Sequence, residues 1–259
     1  MARILSALVL APPVLAALYL GPPYSDAMVM LAGGVLAWEW ARLCARGSFD
    51  LTGGVMMFAV LAVIAAGILG GYSVAGWLLA AGAMATVVTA TRRRQAESLW
   101  SGLGVVYIGA ACLGFLWLRQ DPDIGRPVVF WLVAVVWATD IGAYFAGRGL
   151  GGPRLAPSIS PNKTWSGVAG GVLAAILVGL AAAAWRGQGN ALGLAAMSAV
   201  LAIVAQAGDL FESSLKRRFG VKDASDLIPG HGGLLDRADG VLAGSLILAA
   251  LTLLVETPI

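Results

Sequence analysis

Residues 191–255 read ALGLAAMSAVLAIVAQAGDLFESSLKRRFGVKDASDLIPGHGGLLDRADGVLAGSLILAALTLLV. Two apolar runs, Ala191–Gly208 and Ala238–Val255, approach the length of about 20 residues that carries an α-helix across a bilayer core. Between them lies a segment crowded with Asp, Lys and Arg and broken by Pro229-Gly230 and Gly232-Gly233. The same alternation recurs outward from here. Further apolar runs occupy Ile4–Leu20, Ala27–Leu43, Leu51–Gly70, Val74–Thr91, Leu99–Leu118, Pro127–Gly147 and Gly167–Trp185, which predicts about nine transmembrane helices. Only 12% of residues are charged and 59% are hydrophobic, against roughly a quarter charged in a soluble domain. With a mean hydropathy of +0.84, the chain reads as an all-α, polytopic integral membrane protein. Its first run contains Pro12-Pro13 and reads as an uncleaved helix rather than a signal peptide, because many spans follow it.

Nine crossings with a cytoplasmic N-terminus place 14 of the 17 Lys and Arg residues on one side. Only Arg119, Arg126 and Arg186 fall on the other. Cytoplasmic loops carry the excess of basic charge, so the N-terminus is expected inside and the C-terminus outside. The membrane itself is expected to be a bacterial-type inner membrane, and this bias puts the Asp209–Arg237 segment on its cytoplasmic side. It also accounts for the pI near 9.1 without nucleic acid, since the cations cluster in particular loops. Two regions are expected: residues 1–125, membrane helices with little chemistry, and residues 126–259, a catalytic membrane region with cytoplasmic loops 148–166 and 209–237. Cys44 and Cys112 lie in or beside apolar runs and read as buried thiols, not a disulfide framework or metal pair.

Within the charged segment, Gln206, Asp209, Ser213 and Lys216 fall at i, i+3, i+7 and i+10, one face of a helix that should end near Phe219-Gly220. Asp236 and Asp239 follow at i, i+3, where the last apolar helix begins. Hard divalent cations take oxygen ligands, and Mg²⁺ commonly uses one or two carboxylates together with substrate phosphates. Asp209, Asp236 and Asp239 are therefore the candidate metal ligands, with Mg²⁺ as the expected ion and room for a second cation. Lys216, Arg217, Lys222 and Arg237 supply the positive field that phosphates need. A solvated cytoplasmic loop explains the basic residues equally well as a topology signal, but it leaves the aspartates at the membrane edge unexplained.

A second polar stretch, Trp137–Gly171, reads WATDIGAYFAGRGLGGPRLAPSISPNKTWSGVAGG. Asp140 sits about 10 Å inside its span at about 1.5 Å per residue, and a carboxylate there needs a partner or a polar cavity. The loop beyond it offers pliable glycines, the cations Arg148, Arg154 and Lys163, and the neutral donors Ser158, Ser160, Asn162 and Thr164. The next helix is expected to start near Lys163–Ser166, with an N-terminus able to hold an anion. Glu39, between Trp38 and Trp40, lies near the cytoplasmic end of its span and reads as structural or interfacial.

Two blocks resemble a known family. Ser213-Ser214-Leu215-Lys216-Arg217, Val221-Lys222-Asp223 and Ile228-Pro229-Gly230-His231-Gly232-Gly233-Leu234-Leu235-Asp236-Arg237-Ala238-Asp239 form one. The other joins Asp140-Ile141-Gly142-Ala143-Tyr144 to Leu155-Ala156-Pro157-Ser158-Ile159-Ser160-Pro161-Asn162-Lys163-Thr164-Trp165. Together they resemble the signature of the phosphatidate cytidylyltransferases, the CDP-diacylglycerol synthases, over about a quarter of the chain. Ser166 stands where that family often has Glu or Gln, Ala224-Ser225 where Ser-Gly is usual, and Gly240 where Ser is common.

The resemblance implies transfer of a cytidylyl group from CTP to phosphatidic acid, giving CDP-diacylglycerol and pyrophosphate, by a Mg²⁺-dependent homodimer. Asp209, Asp236, Asp239 and Lys216 would be catalytic. Ser160, Asn162, Lys163, Arg217, Lys222, His231, Arg237 and Asp140 would contact or organise the substrates, with His231 positioning rather than moving protons. A transporter or flippase with Glu39 and Asp140 along its pathway is the alternative, although no inverted repeat is evident. A CDP-alcohol phosphotransferase is a third reading, but its DG–AR–G–D–D pattern is missing.

Overall fold

A computed structural model describes residues 2–187, 190–228, 230 and 232–255, with side chains from residue 9 to residue 254 among them. Among the described residues, nine helices follow in chain order: α1 (Ala2–Leu20), α2 (Tyr24–Cys44), α3 (Leu51–Ile68), α4 (Tyr72–Arg92), α5 (Ser98–Gln120), α6 (Gly125–Leu150), α7 (Trp165–Arg186), α8 (Ala191–Arg218) and α9 (Leu235–Val255). Each coincides with one expected apolar run. Helices prevail because a backbone in hydrocarbon must satisfy its N–H and C=O groups within the segment. The eight helices from α2 to α9 are long and apolar enough to cross a membrane. In α1 the described apolar run covers Val9–Leu20.

Helix α8 outruns its apolar segment. At about 1.5 Å per residue, its 28 residues exceed a hydrocarbon core of about 30 Å. The surplus is the polar end, Asp209–Arg218. Gly220, at φ +73°, closes the turn after it, as the sequence predicts.

The chain forms two compact units. One comprises residues 1–126 and 218–238, the other residues 127–217 and 239–259. In the first, α3 packs against α2, α4 and α5, around buried Trp40, Met56, Val60, Ile64, Ile108 and Leu116. Asp50 caps α3 by accepting from Gly53 N at 3.2 Å, and it also takes Gln95 Nε2 at 2.6 Å and Arg93 Nε at 3.3 Å. Cys112 is buried and Cys44 half-buried, and both are free thiols.

The second unit is built by close backbone approach. A Cβ on Gly142 of α6 would stand 2.6 Å from Gly170 O of α7, and one on Gly208 of α8 would stand 2.9 Å from Asp239 O of α9. Small residues let membrane helices approach this closely, where packing replaces hydrophobic driving force. Trp131 Nε1 of α6 also donates to Ser198 Oγ of α8 at 3.1 Å.

Between α6 and α7 the stretch that follows the glycines, expected to be part of a pliable loop, forms a β-hairpin. Strand β1 (Arg154–Ala156) pairs antiparallel with β2 (Ser160–Thr164), Arg154 opposite Thr164 and Ala156 opposite Ser160. Thr164 then caps α7, accepting from Gly167 N at 3.1 Å, within the window predicted for the helix start.

Gly142→Ala should lower stability by about 1–3 kcal/mol, the usual cost of overpacking. Gly76→Ala in α4, where nothing lies within 4 Å of an added Cβ, should be neutral or stabilising. Thermal melting in detergent compares the two, and equal midpoints would contradict the packing described.

Candidate functional site

The polar end of α8 and the start of α9 carry the acidic residues. Asp209, Glu212 and Asp239 each present a carboxylate oxygen, and the three oxygens lie within 4.8 Å of one another. All three belong to the second unit. Asp209 and Glu212 are one turn apart on α8, while close packing at Gly208 brings α9 alongside them. Ser213 Oγ donates to Asp209 Oδ1 at 3.3 Å, and Gly240 N donates to Asp239 Oδ1 at 2.8 Å.

Two ammonium groups answer this acidity. Lys163 Nζ lies 2.6 Å from Asp209 Oδ2 and also donates to Gln206 O at 3.3 Å. The hairpin makes that reach possible, because β2 delivers Lys163 just before the α7 cap. Lys216 Nζ lies 2.6 Å from Glu212 Oε2, with only 12% and 3% of the two side chains exposed. Arg217 Nε donates to Ile159 O at 3.4 Å, tying the end of α8 to the hairpin tip. The Asp239 carboxylate feels the like charges of Asp209 and Asp140 and the opposite charge of Lys163.

Three close carboxylate oxygens are a donor set for a hard divalent cation. Octahedral Mg²⁺ holds its oxygens at about 2.1 Å, so opposite ligands stand about 4.2 Å apart. The three oxygens lie within 4.8 Å of one another, slightly wider than that, so small side-chain rotations would bring them onto one such ion.

The sequence-predicted residues are thus placed as follows. Asp209, Asp239, Lys216 and Lys163 meet in the second unit, with Asp140 close enough to act electrostatically. Ser160 and Asn162 lie on β2, Asn162 exposed. Asp236 belongs to the first unit. There its Oδ2 accepts from Ala224 N at 2.9 Å and Gly233 N at 2.7 Å, which shapes the loop that precedes α9. Lys222 and Arg237 are exposed on this loop and first turn. His231 lies outside the described residues. Arg218 is engaged elsewhere, pairing with Glu97 Oε2 at 3.2 Å and stacking over Trp100 at 5.1 Å.

Glu212 is the residue that sequence reasoning missed. It stands three after Asp209 and four before Lys216, a spacing that places it with both on one helix face.

The model of the cytidylyltransferase family matches residues 1–255. The chain belongs to that family. Curated members include a phosphatidate cytidylyltransferase from Brucella suis, 39% identical over 251 residues, covering 95% of this chain and 90% of the relative. Another, from Pseudomonas aeruginosa, is 37% identical over 262 residues and covers 96% of this chain and 95% of the relative. A third, from Haemophilus influenzae, is 33% identical over 274 residues, with 93% and 94% covered. The likeness therefore extends through the apolar first half of this cytidylyltransferase-family chain, beyond the two signature blocks.

Lys216→Met should cost about 3 kcal/mol, because the buried Glu212 carboxylate loses its close cation. The double substitution Lys216→Met with Glu212→Leu should recover much of it. A double-mutant cycle on unfolding midpoints in detergent checks this, and additive losses would contradict it.

Proposed function

We propose that this chain transfers the cytidylyl group of CTP to phosphatidic acid, releasing CDP-diacylglycerol and pyrophosphate. The relatives' names support the reaction, and one observation carries the site: the three carboxylates Asp209, Glu212 and Asp239 converge within 4.8 Å while Lys163 and Lys216 are held against them. That mixture suits a reaction between two polyanions, where the protein must offset repulsion and align groups.

A phosphate oxygen of the lipid forms a bond to the α-phosphorus of CTP. The bond from that phosphorus to the oxygen bridging the β-phosphate breaks, and its electron pair leaves with pyrophosphate. The attacking oxygen is already largely ionised at neutral pH, so no strong base is required and His231 is assigned to positioning. Lys216 and Arg217 from α8, Lys163, Ser160 and Asn162 from the hairpin, and Lys222 and Arg237 are assigned to the phosphates of the two substrates. Asp140 tunes the acidic cluster or holds one of these cations. Asp236 stays in the catalytic set, with the added role of shaping the loop before α9. Asp209 and Asp239, joined by Glu212, are the ligands for Mg²⁺, which when bound supplies positive charge to the phosphate oxygens.

The distribution of basic residues supports a site facing the cytoplasm of a bacterial inner membrane, with the N-terminus inside and the C-terminus outside. By resemblance the enzyme acts as a homodimer, and residues 126–259 form its catalytic region. A transporter reading is disfavoured by where the charge sits: the ion pairs Lys163–Asp209 and Lys216–Glu212 lie at the polar end of α8, beyond its apolar run.

Purified protein given labelled CTP, phosphatidic acid and Mg²⁺ should transfer label into extractable lipid. Asp209→Asn and Asp239→Asn should each lower kcat at least about 100-fold, the scale of losing a main electrostatic stabiliser, and chelation with EDTA should stop turnover. Full activity in either variant would overturn the assignment.

A further inference from the structure

Glu39 is a charged residue of α2, yet its relative exposure is 0%. Its carboxylate accepts three hydrogen bonds, all from one distant segment. Ser225 Oγ donates to Oε1 at 2.6 Å, Leu234 N donates to Oε1 at 2.9 Å, and Leu235 N donates to Oε2 at 2.6 Å. Leu234 and Leu235 are where α9 begins. The first N–H groups of a helix have no intrahelical partner, and a Ser, Thr, Asp or Asn just before the helix normally answers one of them. Here the preceding residues are Gly232, Gly233 and Leu234, none of which has a side chain able to do so. A carboxylate nearly 200 positions earlier fills the gap, and the positive end of the helix dipole favours its charge.

The glycine pair fits the same arrangement. A Cβ on Gly233 would stand 2.5 Å from Glu39 Oε1, and one on Gly232 would stand 2.8 Å from Asp236 Oδ2. Gly232 also has φ +81°, a conformation that L side chains rarely adopt. Thus Gly232-Gly233 is shaped around two carboxylates, Glu39 from α2 and Asp236 from the helix that follows. Between them they take the amides of Gly233, Leu234 and Leu235 in succession, plus that of Ala224.

We infer that Glu39 is a positioning residue: it caps α9 from another helix and ties Ser225 in the preceding loop to the start of that helix. Its effect on catalysis rests on the cytidylyltransferase reading above, in which this loop and the first turn of α9 carry Lys222 and Arg237 to substrate phosphates. Glu39 touches no reacting atom. Removing its charge loosens a loop whose order is needed when CTP and lipid are aligned, so kcat falls while the membrane helices stay folded. Ser225 adds a third donor through its hydroxyl, which also accepts from Leu227 N at 3.2 Å, so Ser225→Ala removes one of the three bonds to Glu39 together with that local turn contact.

Hydrogen exchange on the full-length protein in detergent, with and without Glu39→Gln, tests the cap directly. The variant keeps the side chain's size but turns one acceptor into a donor facing an N–H. Exchange of the Leu234 and Leu235 amides should quicken at least tenfold, with α3 to α5 unchanged. In the same variant kcat for labelled CTP incorporation should fall about tenfold or more, with the melting midpoint little changed. Ser225→Ala should produce a smaller change in the same direction. Unchanged exchange at Leu234 and Leu235 would overturn the inference, as would faster exchange with wild-type kcat. If the unsubstituted protein makes no nucleotide-lipid at all, the proposed function fails, while the exchange result still decides whether Glu39 is the cap.

Discussion

A carboxylate carried on an apolar helix must be met by donors or cations, because leaving it unanswered away from water costs several kcal/mol. The polar architecture of this protein follows from how that demand is met. Glu212 is met within its own helix by Lys216. Asp209 is met by Lys163 from the hairpin. Glu39 is met by two backbone amides and a serine hydroxyl from a segment remote in sequence. Each answer pins a loop or helix end in place, so the burial of charge and the ordering of the polar segments are one process.

The two units use different chemistry for this. In the second, carboxylates face ammonium groups and one another, leaving acidic oxygens close enough to share a cation. Hydrogen-bonded charges at this spacing stay electrostatically active toward phosphates. In the first, Asp50 and Glu97 pair with Arg93 and Arg218, but Glu39 and Asp236 face backbone N–H groups, which holds shape more than it offers charge. Asp236 shows the difference well. It was expected on sequence grounds to bind a cation with Asp209 and Asp239, and its Oδ2 is engaged with Ala224 N and Gly233 N.

The departures from the family pattern acquire local reasons. Ser225, where glycine is usual, gives its hydroxyl to Glu39. Ser166 bonds Thr164 Oγ1 at 2.9 Å and donates to Gly151 O, closing the base of the hairpin. At Gly240 a Cβ would come 2.9 Å from Val136 Cγ1, so a serine there would require Val136 to yield.

The helices were legible from sequence because each depends on a contiguous apolar run and on backbone hydrogen bonds that close within the segment. The end of α8 at Gly220 and the start of α7 at Thr164 were legible for a similar reason: caps are local. The hairpin was not, since its strands are short and its Pro, Ser and Asn content resembles an open loop. Asp209, Asp239 and Lys163 stood out as charges in an apolar chain, whereas Glu212 was hidden beside the more regular face of Gln206, Asp209, Ser213 and Lys216. Glu39 was visible as a misplaced charge, but its partners lie at Ser225, Leu234 and Leu235. Periodicity reports which face a residue occupies, not which distant segment will meet it. Only chain folding, which brings α2 against the start of α9 within the first unit, decided that this carboxylate would become a helix cap.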